Sequence, residues 1–340
     1  MINRILIVGY GSIGKKHLSI ARTMMPKSDI RILRHKVTKY QPRFSNGTFS
    51  DIDQALKFKP QIAVIANPSN LHIPIAIKLA AQGVHILIEK PISNNLDNLN
   101  YLLEIAKKKQ VKILTGYNLR FVHSLKFFRN AIKEKAIGKV FSVNCEVGQY
   151  LPNWRKNKKY NETVSAKSKL GGGVLLELSH ELDYLRWIFG EVKWVKASSS
   201  KQSNLEIDVE DTVKIIMQFQ SEVIASVNLD FIRHDSTRSC SVIGENGTLR
   251  WNGLTGITEI YKSDSKTWKV IFNDHENLNQ SYISEWKNFL DCVLHDTLPV
   301  VSGDDGLKVL EIIDGVKKSA TFQGQLINLN QVLHINNYET

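Results

Sequence analysis

"IVGYGSIGKKHL" (residues 7–18) is the stretch whose reading decides the fold. Gly9, Gly11 and Gly14 form a G-x-G-x-x-G that directly follows the apolar run "RILIVG" (4–9) and opens a segment of helical texture. A strand, then the glycines, then a helix is the context that separates a dinucleotide-binding turn from a chance spacing. Gly9 permits the tight turn, Gly11 lets a pyrophosphate approach the backbone, and Gly14 lets the helix pack closely on the strand. The unpaired N–H groups and positive dipole end of the helix then attract the phosphates. Tyr10, Ser12 and Ile13 lie between the glycines and are candidate cofactor contacts with them.

Outward from this turn, further short apolar runs follow: "IRIL" (30–33), "IAVIA" (62–66), "HILIE" (85–89) and "VKILTGY" (111–117). Helix-like stretches near 14–24, 51–57, 72–82 and 96–109 separate them. The runs are continuously apolar rather than alternating, as in strands buried on both faces of a parallel sheet. The alternation predicts an α/β class, with an N-terminal doubly wound Rossmann domain over residues 1–120. Beyond it come a helix (about 123–135), a strand (139–150), a polar loop (151–170) and the glycine-led "GGGVLLELSHELDYLRWIF" (171–189). Several strand-like runs follow, with hairpin signals at "GENG" and "WNGLTG". The expectation is a C-terminal α+β domain over 121–302 with a mainly antiparallel open sheet. A helix over 303–320, acidic at its start and basic at its end, is expected to pack back on the first domain.

With 340 residues, 42% hydrophobic and 23% charged, the chain has the composition of a soluble globular protein and the length for two cores. No run of about 18 apolar residues occurs, and "MINRILIVGY" lacks the plan of a secretion signal, so no membrane association is expected. Cys145, Cys240 and Cys292 stand far apart without metal-ligand spacing, which fits a reducing cytoplasm. The net charge of +12 invites a nucleic-acid reading. The lysines are scattered, however, with no aromatic-interleaved stripe, and no nucleic-acid partner is expected. A basic surface equally steers a phosphorylated cofactor or an anionic substrate.

An NAD-selective site of this type carries an acid about 20 residues after the glycines. Counting from Gly14 reaches Arg34, with His35 and Lys36 beside it. A cation there favours a 2′-phosphate, so NADP is favoured over NAD. "IANPSNLH" (65–72) and "HILIEKP" (85–91) end predicted strands, where open α/β sheets bind ligands. Asn67, Pro68, Asn70, His72 and Glu89 are therefore candidate cofactor contacts. Lys90 is a candidate acid/base group, its pKa drawn toward the working range by an oxidised nicotinamide or by desolvation. In the glycine-led helix, Leu175, Leu178, Leu182, Leu185 and Phe189 form one stripe, with Glu177, His180, Glu181 and Tyr184 opposite. Glu-x-x-His is also a di-iron ligand motif, but that chemistry needs a partner motif within a helical bundle, so no metal is expected.

The ordered set G-x-G-x-x-G, "NPSNLH", "EKP", "GYNLRF" (116–121), "WR" (154–155) and "GGGVLLELSHELD" resembles the glucose-fructose oxidoreductase/inositol dehydrogenase/rhizopine catabolism (Gfo/Idh/MocA) family over nearly the whole chain. The resemblance implies an NAD(P)-dependent dehydrogenase or reductase acting on CH–OH donors, with an active site between the two domains and a homodimer or homotetramer built through the open sheet. It implies hydride transfer between the nicotinamide and a carbinol carbon of a sugar, polyol or nucleotide-linked sugar. Lys90 would be the catalytic lysine, before a proline bond that is often cis in relatives. His180 would take or return the hydroxyl proton, with Glu177 sharing that work. The stretch 151–190 also looks like a branch associated with bacterial surface-sugar biosynthesis.

By the same resemblance Asn118 lies near the cofactor. Arg120, Trp154, Arg155, His234 and Arg238 are placed near the substrate, and Asp183, one turn from His180, is positioned to orient its ring. Relatives commonly carry Asp four residues before the histidine, whereas Glu177 precedes His180 by three. Spacings of three and four both bring helical side chains together. The division of labour among Glu177, His180 and Lys90 is thus open. So are two other readings: reduction of a C=C or C=N group, since fold does not fix chemistry, and a non-catalytic dinucleotide-binding sensor.

Overall fold

The computed structural model describes residues 2–35, 41–155, 158–274 and 278–329. Lys36 lies outside the described residues. The chain divides into two compact units, the first comprising residues 1–118 and 279–310, the second residues 119–278 and 311 onward.

The first unit is built on β1 (Arg4–Val8), α1 (Ser12–Met24), β2 (Asp29–Leu33), β3 (Gly47–Phe49), α2 (Ile52–Lys57), β4 (Ile62–Ile65), α3 (His72–Ala81), β5 (His85–Glu89), α4 (Leu99–Lys108) and β6 (Ile113–Gly116). Ile5, Leu6 and Ile7 are consecutive and all fully buried, so both faces of β1 must be covered. Helices between parallel strands supply that cover. The strand order is β3-β2-β1-β4-β5-β6, every pairing parallel, the arrangement of a Rossmann sheet. Apart from the short β3, the strands match the apolar runs.

The second unit carries α5 (His123–Lys133), β7 (Val140–Gly148), α6 (Val174–Glu177), α7 (His180–Phe189), β8 (Val192–Ser200), β9 (Thr212–Phe219), β10 (Ile224–Asp230), β11 (Thr237–Gly244), β12 (Gly247–Asn252), β13 (Ile257–Lys262) and β14 (Trp268–Asn273). With β15 (Ile327–Asn328) these strands form one sheet, β14-β13-β12-β11-β7-β10-β9-β8-β15. Its pairings are antiparallel except β7 with β10. Alternation is clean on β9, where Val213, Ile215, Met217 and Phe219 are buried and Lys214 and Ile216 exposed. One face is packed and the other open, as antiparallel sheets allow.

The first domain was expected to end at 120, and in one respect the chain departs from that plan. The helix α8 (Leu278–His295) returns to the first unit from Asn279 onward, ahead of the expected boundary at 302. The reason is burial: Trp286 and Phe289 are fully enclosed in the core formed by Ile5, Ile7, Ile30, Ile32, Val64, Leu87 and Leu114. A side chain such as Phe289 contributes about 1.5–3 kcal/mol by that burial. In α9 (Gly303–Thr321), residues 303–310 belong to the first unit and the rest to the second. A Cβ on Gly306 would lie 2.6 Å from Thr115 Oγ1, and one on Gly315 would lie 2.5 Å from Leu329.

The segment 171–189 is not the single helix that its leucine stripe predicts. It breaks after Leu178 into α6 and α7, with a new ladder starting where the Asp183 N–H donates to the Ser179 carbonyl. The triple glycine serves the chain's own packing. A Cβ on Gly172 would lie 2.3 Å from the Val164 carbonyl oxygen, and one on Gly173 would lie 2.5 Å from Glu210 Oε1. Gly173 also adopts φ of +111°, a region that favours glycine. The body these glycines approach within the second unit is thus the preceding loop and Glu210, which accepts the Leu175 N–H at 3.0 Å.

Candidate active site

In the first unit, the loops after β1, β4 and β5 gather at the carboxyl ends of the strands, beside the point between β1 and β4 where the strand order reverses. Ligands of open α/β sheets bind at such a switch point. Gly9 holds φ of +95°, and a Cβ there would lie 2.7 Å from the Ala66 carbonyl oxygen. A Cβ on Gly14 would lie 2.3 Å from the Gly9 carbonyl oxygen. Those two glycines are demanded by the fold itself. Gly11 is different: a Cβ there would meet nothing within 4 Å, so the fold would tolerate a side chain. Its bare backbone leaves room for a body from outside the chain.

Gly11 is also the N-cap of α1 and offers no side-chain cap, so the first N–H groups of the helix are directed at that room. At the end of β4, Asn67 Oδ1 is buried with no hydrogen-bond partner among the described residues. A bare glycine, an uncapped helix start and an orphaned amide oxygen at one switch point fit a dinucleotide. Tyr10 sits on this turn, Ser12 and Ile13 begin α1, and Pro68 and Asn70 follow β4. Arg34 follows the last residue of β2, its guanidinium carbon 5.4 Å from the Tyr10 ring centre. Lys15 Nζ lies 5.1 Å from the same ring, a cation that the spacing argument missed.

His72 is buried with Nε2 2.8 Å from the Asn67 carbonyl and Nδ1 3.1 Å from the Pro91 carbonyl. Burial pushes its pKa down, and the neutral ring, with a single N–H, donates to one of the two carbonyls. Lys90, half-buried, stands directly after β5 and is joined to Pro91 by a cis peptide bond. Glu89 and Asn118, expected at the cofactor, are engaged inside the unit. The Asn118 amide donates to Ser281 Oγ at 2.8 Å, and Glu89 Oε1 lies 2.7 Å from His17 Nε2. Both are buried because the chain around them is apolar and supplies these partners from α8 and α1.

Beside Glu89, and also missed in the sequence, is Glu285 of α8, fully buried with both carboxyl oxygens lacking a hydrogen-bond partner among the described residues. Burial and the neighbouring Glu89 charge hold its carboxyl well above the usual carboxylate range. The folded state therefore binds a proton that the unfolded chain releases near pH 4.3. Stability must fall as pH rises from there toward the raised folded value, by about 1.4 kcal/mol per pH unit from this group alone. Glu285→Gln should remove that slope. Urea unfolding at pH 5 and pH 8 should show the variant gaining on the native protein as pH rises, and parallel pH profiles would refute the assignment.

In the second unit, packing separates the four ionisable residues of 177–183. Glu181 and Asp183 are fully buried, whereas Glu177 and His180 stay half-exposed. Asp183 accepts two bonds from Arg120, at 2.9 Å from Nε and 2.6 Å from a terminal nitrogen. Glu181 accepts the Arg238 Nε–H at 2.8 Å. Arg120, Asp183 and Arg238 are thus paired within the unit. Two buried carboxylates must find cations, and these arginines supply them. Tyr184, expected on the polar face, is also buried, its hydroxyl 3.0 Å from Cys145 Sγ.

Glu177 accepts the Ser165 hydroxyl at 2.9 Å. Ser165 lines a small cleft with Leu151, Trp154, Arg155, Tyr160 and Thr163. The Trp154 indole donates to the Gln149 carbonyl and meets Phe231 edge-on at 5.0 Å. His234 lies over Tyr150, ring centres 4.1 Å apart.

Family models match both units. Residues 3–117 match "Oxidoreductase family, NAD-binding Rossmann fold", and residues 129–328 match "Oxidoreductase family, C-terminal alpha/beta domain", both of the Gfo/Idh/MocA family. The chain is 25% identical to myo-inositol 2-dehydrogenase of Thermotoga maritima over 331 residues, spanning 93% of this chain and 96% of that one. It is 25% identical to levoglucosan dehydrogenase of Pseudarthrobacter phenanthrenivorans, spanning 72% of each. Among solved structures, the WlbA dehydrogenase of Bordetella pertussis in complex with NADH and UDP-GlcNAcA shares the fold at TM-score 0.79 and 22% identity, over 96% of this chain and 99% of that one. With a glycine turn shaped for a dinucleotide and both halves of the chain matched, this protein belongs to the Gfo/Idh/MocA family of NAD-dependent oxidoreductases.

Proposed function

We propose that this oxidoreductase transfers a hydride between NADP(H) and a carbinol carbon of a sugar, polyol or nucleotide-linked sugar. The observation that carries the reading is Lys90, a half-buried amine at the end of β5, on the same sheet edge as the open Gly11 turn. Relatives named for inositol and levoglucosan, and a structural relative holding UDP-GlcNAcA, support the substrate class. When bound, the nicotinamide supplies the hydride acceptor. His180 then accepts the hydroxyl proton as the C–H bond breaks and C=O forms, while the Lys90 ammonium hydrogen-bonds the developing alkoxide. Glu177 orients this exchange from the Ser165 side, and Trp154, Arg155 and His234 are the substrate contacts. Arg34, with Lys15 nearby, holds the 2′-phosphate of NADP(H) by charge-assisted bonds.

The purified protein with NADP+ or NAD+ should reduce the cofactor with at least one member of a panel of polyols, pyranoses and nucleotide-linked sugars. Tight cofactor binding with no turnover would favour a sensor, and turnover confined to enones or imines would favour the other reductase class. Arg34→Ala should lower kcat/KM with NADP+ about tenfold to a hundredfold and leave NAD+ nearly unchanged; an equal effect on both would refute the 2′-phosphate role. Exposed Ile216, Ile224 and Ile243, alternating with buried residues, support a homo-oligomer formed through the open sheet face. Three buried free cysteines support a cytoplasmic setting.

A further inference from the structure

Glu89 closes β5 directly after Ile86, Leu87 and Ile88, all fully buried. A carboxylate there is costly unless it is well bonded, and an apolar residue would serve stability at least as well. Its bonds form a chain across the first unit. The Trp286 indole of α8 donates to His17 Nδ1 at 2.9 Å. That nitrogen is therefore the acceptor, and the ring's proton sits on Nε2, which donates to Glu89 Oε1 at 2.7 Å. The other carboxyl oxygen, Oε2, accepts the Lys90 main-chain N–H at 3.2 Å. His17 lies on α1, the helix whose uncapped start faces the cofactor room.

We propose that His17 and Glu89 are positioning residues for Lys90, fixing the lysine's backbone to the cofactor-binding helix through one carboxylate. This rests on Lys90 being catalytic. A lysine has a flexible four-carbon stem, so its ammonium is placed reproducibly only if its Cα is held. Glu89 holds the Lys90 N–H directly before the cis bond to Pro91. A displacement of about 1 Å at a reacting group is worth up to about a hundredfold in rate.

The test uses the full chain and three variants. Glu89→Gln keeps the shape but presents an amide to two donors. It should lower kcat about tenfold to a hundredfold, change the pH profile of kcat, and leave the NADPH dissociation constant within about threefold. In the protein without cofactor, the Lys90 amide should lose hydrogen-exchange protection. Trp286→Phe removes the donor to His17 while keeping an aromatic ring in the core, and should lower kcat several-fold in the same sense; it decides the matter if Glu89→Gln does not fold. Unchanged kcat and pH profile, or kcat, cofactor affinity and Tm falling together, would overturn the proposal. Lys90→Met runs beside them. If it stays active, both the Lys90 reading and the proposal fail. If it is inactive while Glu89→Gln behaves as native, the proposal alone fails.

Discussion

Lys90→Met should abolish turnover while the protein still binds its nicotinamide cofactor. Methionine keeps the length and most of the apolar stem of lysine but carries no ammonium, so the alkoxide would lose its charged donor. Removing one donor to a developing oxyanion costs about a hundredfold to a thousandfold, and loss of a proton-transfer partner about a hundredfold to ten-thousandfold. The expected result is a drop in kcat of at least about a thousandfold, with the NADPH dissociation constant within a few-fold of native. Steady-state rates and fluorescence titration of bound NADPH separate the two. Full activity in this variant would sink the catalytic assignment. The glycine turn would be untouched by that result, since Gly9 and Gly14 are required by the chain's own carbonyls.

The second large effect falls on stability. Asp183→Ala should destabilise the second unit by about 3–5 kcal/mol, because it leaves the Arg120 guanidinium without its charge partner in the interior. Arg120 is 3% and Asp183 1% exposed at the side chain, so water cannot replace the lost bonds. The surroundings add to the cost: Arg129 stacks on Trp187 at 4.1 Å, and Arg120 lies 5.8 Å from the same ring. Burial, together with Arg120, pushes the Arg129 pKa down, so a second cation crowds the same ring. Urea unfolding followed by circular dichroism measures the loss. If Asp183 served only to bind substrate or to orient His180, activity would fall with stability within about 0.5 kcal/mol of native.

Much of the first unit was legible because its signals are local. Continuous apolar runs mark strands that must be covered on both faces, and three glycines between a strand and a helix mark the turn. The helix α8 was not marked in advance, although Ile283, Trp286, Phe289, Leu290 and Val293 recur at helical spacing. Its pattern gave a helix but not a destination, since nothing local says that Trp286 belongs in a core begun by Ile5. Missing α8 meant missing Glu285 and the Trp286 donor, and so the setting of Glu89.

In the stretch 177–183 the limits of a helical wheel are plain. Glu177, His180, Glu181 and Asp183 look alike as polar groups on an amphipathic segment. Packing separates them, with Glu181 and Asp183 enclosed by Arg238 and Arg120, and Glu177 and His180 left half-exposed. The partners are 57 and 63 residues distant in sequence. Periodicity over one helix carries no information at that range.

By itself the sequence determined that a dinucleotide turn opens a parallel α/β domain, and that Lys90 directly follows one of its strands, because turn geometry and strand burial are set by neighbouring residues. Only the tertiary structure decided which charged residues hold the protein together. A carboxylate or guanidinium becomes structural when another part of the chain buries it against an opposite charge, and that depends on where distant segments come to rest.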